Sequence, residues 1–256
     1  MIGTMLRTTC LRALACACLV LTSAAGCARP PMNNDALSNP AFSNPELAPL
    51  AEAVRRGDAP EIRRQLERVP ADTPGSDGNT LLVAAIRAGN LASVEALLEG
   101  GADANRVDAR GDTPVHAAAF EGKADILRAV LAHGGDVDAR NANTGATALM
   151  QALLSPDRDQ YAVLLDAGAD PKAADRNGDT ALHVAARTNH GAAILRLLAK
   201  GAMPETKNSG GATFQDYYFG YRRELLNDRA RQERRDIVAW LRQHNVPLQA
   251  NVEADY

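Results

Sequence analysis

The sequence predicts an all-α chain of stacked helix pairs, and three observations carry that reading. Thr80, Thr113, Thr147, Thr180 and Thr213 follow one another at intervals of 33, 34, 33 and 33 residues, and self-similarity at such a period marks an array of small repeated units. Within a period, apolar residues fall at helical spacing, as in Ile62 with Leu66 or Val94 with Leu97 and Leu98, because residues three and four apart share one helix face. Aromatic residues are only 4% of a chain that is 46% hydrophobic. The core must therefore be built from Ala, Leu, Val and Ile, which suits thin stacked helices better than one large globular core.

The repeated segments are Thr113-Pro114-Val115-His116-Ala117-Ala118-Ala119 and Thr180-Ala181-Leu182-His183-Val184-Ala185-Ala186, with weaker forms at Thr80-Leu81-Leu82-Val83-Ala84-Ala85 and Thr147-Ala148-Leu149-Met150-Gln151-Ala152. In period and residues they resemble ankyrin repeats, over roughly residues 46–248. The resemblance implies a solenoid of about six helix-turn-helix units joined by hairpin-like turns. In such a solenoid, paired small residues (Ala84 and Ala85, Ala118 and Ala119, Ala185 and Ala186) let neighbouring first helices approach closely. The stack then curves and leaves a groove lined by first helices and turn tips. It also implies that His116 and His183 hydrogen-bond turn backbone.

In chain order, residues 1–26 resemble a bacterial lipoprotein signal: Arg7 and Arg12 precede the apolar run Ala13–Leu21, too short to span a bilayer, and small residues lead to Cys27. An ordinary secretory peptide cleaved near the same place is the alternative. All four cysteines (Cys10, Cys16, Cys18, Cys27) lie in or beside this segment, leaving the remainder no disulfide and no thiolate metal site. Cys27 is the expected lipidation site, and the expected location is the periplasmic face of the outer membrane. Residues 27–45, rich in Pro, Asn and Ser, read as the lipidated cysteine and a flexible tether.

The first unit (46–74) is a charged, degenerate cap, with a helix around Leu50–Val54 ending at Gly57 and a partner over Glu61–Leu66. The second (75–107) opens on the Asp77-Gly78-Asn79 turn, with Thr80 as helix N-cap. The third (108–141) places Pro114 at the first helical position, where its missing N–H costs nothing. The fourth (142–174) breaks pattern at Leu153-Leu154-Ser155-Pro156-Asp157, since Pro156 cannot continue a helix. The fifth (175–207) restores it. The sixth (208–248) departs most: Phe214, Tyr217, Tyr218, Phe219 and Tyr221 replace small residues, and about ten extra residues precede Ile237–Leu241. These aromatics are either a bulky lid over the last alanine-lined unit or a tyrosine-rich interface. The run from Arg222 to Asp236 alternates in sign and reads as a solvated, salt-bridged face. Residues 249–256 are a tail.

The chain shows no G-x-S-x-G, H-E-x-x-H or phosphate-loop motif, so neither catalytic residues nor a cofactor is expected. Asp175-Arg176-Asn177-Gly178-Asp179 starts like a calcium loop. Thr180 then stands where glycine is required and Ala186 where the bidentate Glu belongs, so no metal site is expected. The net charge of −3 does not argue for nucleic acid, and nothing suggests a small-molecule substrate. Binding another protein is the expected role. The positions that vary in ankyrin proteins fall here on Asn79 and Arg87; Arg110, Asp112, Phe120 and Glu121; Asn143 and Leu154; Arg176, Asn177, Asp179, Arg187 and Thr188. Tyr217 and Tyr221 join them from the aromatic unit. Phe120 is an aromatic at an exposed groove position, its alternative being contact with the neighbouring first helix. The expected partner is a secreted effector, such as a lipase acting in the periplasm, which an immunity-type lipoprotein would block. A scaffold for an envelope enzyme is the alternative.

Overall fold

The computed structural model describes residues 40–121, 123–155, 159–220 and 225–255. The signal segment, Cys27, the tether up to residue 39, Pro156, Asp157 and Tyr221 lie outside the described residues. Those described form helices and turns, with isolated bridges at Arg140–Thr147 and Ala174–Thr180 where hairpins close. Six helix pairs follow in order: α1 (Ala48–Arg56) and α2 (Ala59–Leu66), α3 (Leu81–Arg87) and α4 (Leu91–Glu99), α5 (Pro114–Phe120) and α6 (Ala124–Ala132), α7 (Ala148–Leu154) and α8 (Gln160–Asp166), α9 (Ala181–Arg187) and α10 (Gly191–Ala199), α11 (Phe214–Tyr218) and α12 (Asp228–Gln243), with α13 (Ala250–Asp255) last. The first helices α1, α3, α5, α7, α9 and α11 each pack on the next; so do α2, α4, α6 and α8, and α10 packs on α12.

From α3 to α11, each first helix starts at a threonine of the repeat; α1 starts at Leu47 instead. Thr80 and Thr147 accept the backbone N–H three residues on, both at 3.4 Å, which satisfies a donor the helix cannot satisfy itself. In α5 and α9 the histidine reinforces the start: the N–H of Thr113 donates to His116 Nδ1 at 3.2 Å, and that of Thr180 to His183 Nδ1 at 3.1 Å. With Nδ1 accepting, each ring carries its proton on Nε2 and donates it to a carbonyl of the next unit, His116 to Ala146 and His183 to Ala212, both at 3.0 Å. One imidazole thus caps its own helix and fastens the next hairpin.

The alanine pairs are buried between consecutive first helices, and the second helices bury Val94, Leu97 and Leu98; Ile126, Leu127 and Val130; Ile194, Leu197 and Leu198; Ile237, Val238 and Leu241. Each fully buried Leu or Ile contributes about 1.5–3 kcal/mol. Between the helices of a pair the backbone turns through positive φ at Gly57 and Gly89, and Asn189 (φ 50°) takes the same place in the fifth unit, asparagine being tolerated there. In the fourth, Ser155 is extended instead (ψ 143°) and its hydroxyl donates to the Phe120 carbonyl at 2.6 Å, tying the end of α7 to the end of α5.

Three expectations need correction. The tether does not reach residue 45: Pro40–Phe42 form a 3-10 turn, Phe42 is buried, and Ser76 donates its N–H to the Ala41 carbonyl at 2.9 Å. An aromatic side chain seated on the first hairpin outweighs the disorder-prone composition around it. Residues 249–255 are not a free tail, because Val252 of α13 is buried and the Gln249 N–H donates to Gln215 Oε1 at 3.4 Å. Arg234 is not on a solvated face. It is 2% exposed, donates to the Tyr218 carbonyl at 2.7 Å, and lies 5.4 and 5.6 Å from the Tyr218 and Phe219 ring centres. Phe214, Tyr218 and Phe219 are buried with it, so the lid reading holds for these three. Gly191 permits this seal, since a Cβ there would run into the Tyr218 hydroxyl and Glu233.

Phe42→Ala is expected to cost about 3 kcal/mol of unfolding free energy, the scale for truncating a buried phenylalanine, read by chemical denaturation. A loss below about 1 kcal/mol would return residues 40–45 to the tether.

Candidate functional site

The residues singled out by the sequence separate into two groups. The first lies on the hairpin tips, where most side chains stitch one hairpin to another. Asn143 donates to the Arg110 carbonyl at 2.8 Å, and Arg176 donates to the carbonyls of Asn143 and Ala142 at 2.6 and 2.7 Å. Asp112 accepts from Asn141 at 2.6 Å, Asn79 donates to Asp77 at 2.8 Å, and the Asn177 carbonyl receives both the N–H and the hydroxyl of Ser209. The Arg110 side chain is exposed.

The second group is a row formed by the C-terminal ends of consecutive first helices: Arg87 on α3, Phe120 on α5, Leu154 on α7 and Arg187 on α9. Phe120 is 38% exposed and Leu154 53%, two large apolar side chains side by side that the fold leaves uncovered. The arginines flanking them are fixed. Arg87 donates to Asp108 at 2.9 Å and is itself largely buried, with Glu121 4.0 Å away. Arg187 donates to Asp179 at 2.7 Å, keeps 40% of its side chain exposed, and stands 5.3 Å from the Tyr217 ring centre. Thr188 turns back onto α9, its hydroxyl donating to the Val184 and Ala185 carbonyls.

Two expected contact residues therefore work behind the surface. Asp179 is buried. Its oxygens are taken by Arg187 and by the Asn208 amide at 2.8 Å, and that amide also donates to the Tyr217 hydroxyl at 3.0 Å. Burial alone would raise the Asp179 carboxyl; the hydrogen bonds from Asn208 and Arg187, and the guanidinium charge, outweigh it and hold the group below the usual carboxylate range. Arg87 likewise has its charge spent on Asp108. Sequence reasoning missed the partners that do this work. Asp108, Asn141, Asp175 and Asn208 recur at the threonine period, and each accepts two backbone N–H groups of its own hairpin through one oxygen. In Asp108, Asn141 and Asn208 the second side-chain atom reaches back along the stack, to Arg87, Asp112 and Asp179 respectively. Their spacing was the available signal.

No cluster of three or more His, Cys, Asp or Glu able to hold a metal ion occurs among the described residues. A cleft of about 460 Å³ opens between the start of α8, the α9–α10 turn and the start of α12, lined by Asp159, Tyr161, Asn189, His190 and Glu233 among others. Tyr161 meets His190 edge-on there, ring centres 5.2 Å apart.

A family model described as Ankyrin repeats (3 copies) matches residues 50–141, 81–175 and 139–208. The chain belongs to the ankyrin-repeat family. It is similar to Protein PhlB of Serratia liquefaciens, 41% identical over 140 residues that make up 55% of this chain and 62% of that one. It is also similar to SH3 and multiple ankyrin repeat domains protein 2 of Homo sapiens, 31% identical over 68% of this chain but 10% of the human protein. The chain thus spans less than two thirds of these relatives. Among solved structures, the crystal structure of EF0377, an ankyrin repeat protein, aligns with a TM-score of 0.61 and 27% identity over 67% of this chain and 90% of that one. Ankyrin repeats are protein-interaction modules.

Asp179→Asn should lower stability at neutral pH. A carboxyl held low in the folded state stabilises above its unfolded pKa and loses that contribution as pH falls through the folded value. The gap between variant and parent should accordingly close below about pH 4, measured by denaturation across pH. A gap constant from pH 7 to pH 3 would contradict the assignment.

Proposed function

We propose that this chain is an envelope-anchored protein-binding module that acts as an immunity protein. It binds a toxic effector working in the periplasm, such as a lipase, and covers the entrance to its active site. The observation that carries the binding role is the uncovered pair Phe120 and Leu154 beside the fixed Arg187 and Tyr217. Buried aromatic and arginine anchors dominate protein interfaces, and an arginine already ordered by Asp179 loses little freedom on binding. The anchoring role rests on the signal-like segment ending at Cys27. Diacyl attachment there would supply the two chains that stable membrane association needs.

The test uses the full-length chain as bait in envelope extract, followed by turnover assays on the captured protein. Stoichiometric inhibition is expected, with Phe120→Ala plus Arg187→Ala weakening capture by about 1–3 kcal/mol. A captured protein that stays fully active would replace inhibition by scaffolding, and capture unaffected by the double substitution would move the contact off this row. Cys27→Ser should shift the chain from the membrane fraction to the soluble one; unchanged fractionation would remove the anchor.

A further inference from the structure

The fold orders its arginines in two ways. Arg87 and Arg187 are held by the carboxylates of Asp108 and Asp179, which neutralise them as they fix them. Arg140 and Arg176 are held by backbone carbonyls. Arg140 donates from Nη1 to Gly145 at 3.1 Å and to Ala174 at 2.7 Å, and Arg176 donates to Asn143 at 2.6 Å and to Ala142 at 2.7 Å. A carbonyl oxygen accepts the hydrogen bond but brings no full negative charge, so the guanidinium is positioned and its charge stays uncancelled. The two meet at one hairpin tip: a Cβ built on Gly145 (φ 73°) would lie 3.1 Å from Arg176 Cγ and 3.8 Å from Arg140 Nη1. The nearby acids are committed elsewhere. Asp175 accepts the N–H groups of Asn177 and Asp179, Asp112 accepts from the Asn141 amide, and Asp138 accepts the Asp170 N–H. Among the described residues no ion pair joins an acid to Arg140 or Arg176.

Resting on the protein-binding reading above, we infer that the tip of the fourth unit docks an acidic segment of the partner protein, whose Asp or Glu carboxylates accept from Arg140 and Arg176. Both arginines are exposed, and the carbonyl contacts use only part of each guanidinium, so N–H donors are left over in a fixed fork that matches a carboxylate. Two like charges gathered at one glycine repel each other, and an arriving anion relieves that repulsion. The adjoining hairpin continues the positive edge: the exposed Arg110 lies there, its carbonyl accepting from the Asn143 amide at 2.8 Å. On a chain of net charge −3 this tip is a local reversal of sign. It steers an acidic partner into register more than it adds affinity.

The probe is a peptide of four glutamates with Gly-Ser at each end, titrated onto the full-length, nitrogen-15-labelled chain and followed by NMR. Saturable shifts are expected at the Gly145 amide and at the Nε–H groups of Arg140 and Arg176, shrinking as salt is raised. Glutamines in place of the glutamates should abolish them. Arg140→Gln plus Arg176→Gln should weaken binding about tenfold or more. Because these arginines also tie hairpins together, Thr144→Glu serves as a second variant: it leaves both in place and sets a competing carboxylate at the same exposed tip. It should weaken binding, and Thr144→Gln should not. Equal responses to the glutamate and glutamine peptides, shifts confined to other residues, or no shifts would overturn the inference. So would inorganic phosphate binding these arginines as tightly as the peptide, which would leave a site for small anions. If a captured partner is lost with Phe120→Ala plus Arg187→Ala but held equally well by the Thr144→Glu chain, the row stands and the acidic segment falls. If the peptide binds and no protein is captured, the protein-binding reading falls and the tip remains a carboxylate site.

Discussion

A pair of helices of seven and nine residues cannot bury its apolar face alone; it can do so only against another pair. Every other feature of this chain follows from that constraint. The helices are too short to persist by propensity, so their stability comes from neighbours, and the polar groups at each joint must be satisfied by the next unit. His116 and His183 meet this demand with a single ring. The recurring Asp and Asn residues that open the hairpins meet it again, one oxygen for their own turn and, in three of them, the second atom for Arg87, Asp112 or Asp179 one joint earlier. Both ends of the array then need covers, supplied by Phe42 at one end and by Phe214, Tyr218 and Arg234 at the other.

The same joints place the row of first-helix ends. Asp108 and Asp179 hold Arg87 and Arg187, and Asn208 links Asp179 to Tyr217. Charged surface side chains that would otherwise sample many rotamers are thereby ordered before a partner arrives. Order of this kind favours specificity as much as affinity, because a partner must match positions already set. The uncovered Phe120 and Leu154 are the counterpart. Their helices are anchored through Ser155 and the Phe120 carbonyl, so the two side chains stay exposed on a fixed backbone.

Much of the fold was legible in the sequence because threonine, alanine and leucine recur in phase, and a period repeats the same evidence five times. What occurs once could not be read that way. Phe42 is a lone aromatic in a Pro-, Asn- and Ser-rich stretch, and nothing local says that the first hairpin receives it. Arg234 sits in a run of alternating charge, and its burial depends on a carbonyl and two rings from Tyr218 and Phe219. The candidate site was legible in position but not in role. Family register placed Asp179 and Arg187 together among contact residues. Only the Asn208 amide, brought in from the next unit, shows that the acid lies behind the surface and the arginine in front.

The central claim, that the row of first-helix ends grips another protein, is tested most directly by site-specific photo-crosslinking in cells making both proteins. A photoreactive amino acid is placed at Phe120 or Leu154, and for comparison at Arg128, an exposed residue on the second helix of the same unit as Phe120. The account predicts crosslinks to one partner from the first two positions and none from Arg128. Crosslinking from Arg128 alone, or equally from all three, would contradict it.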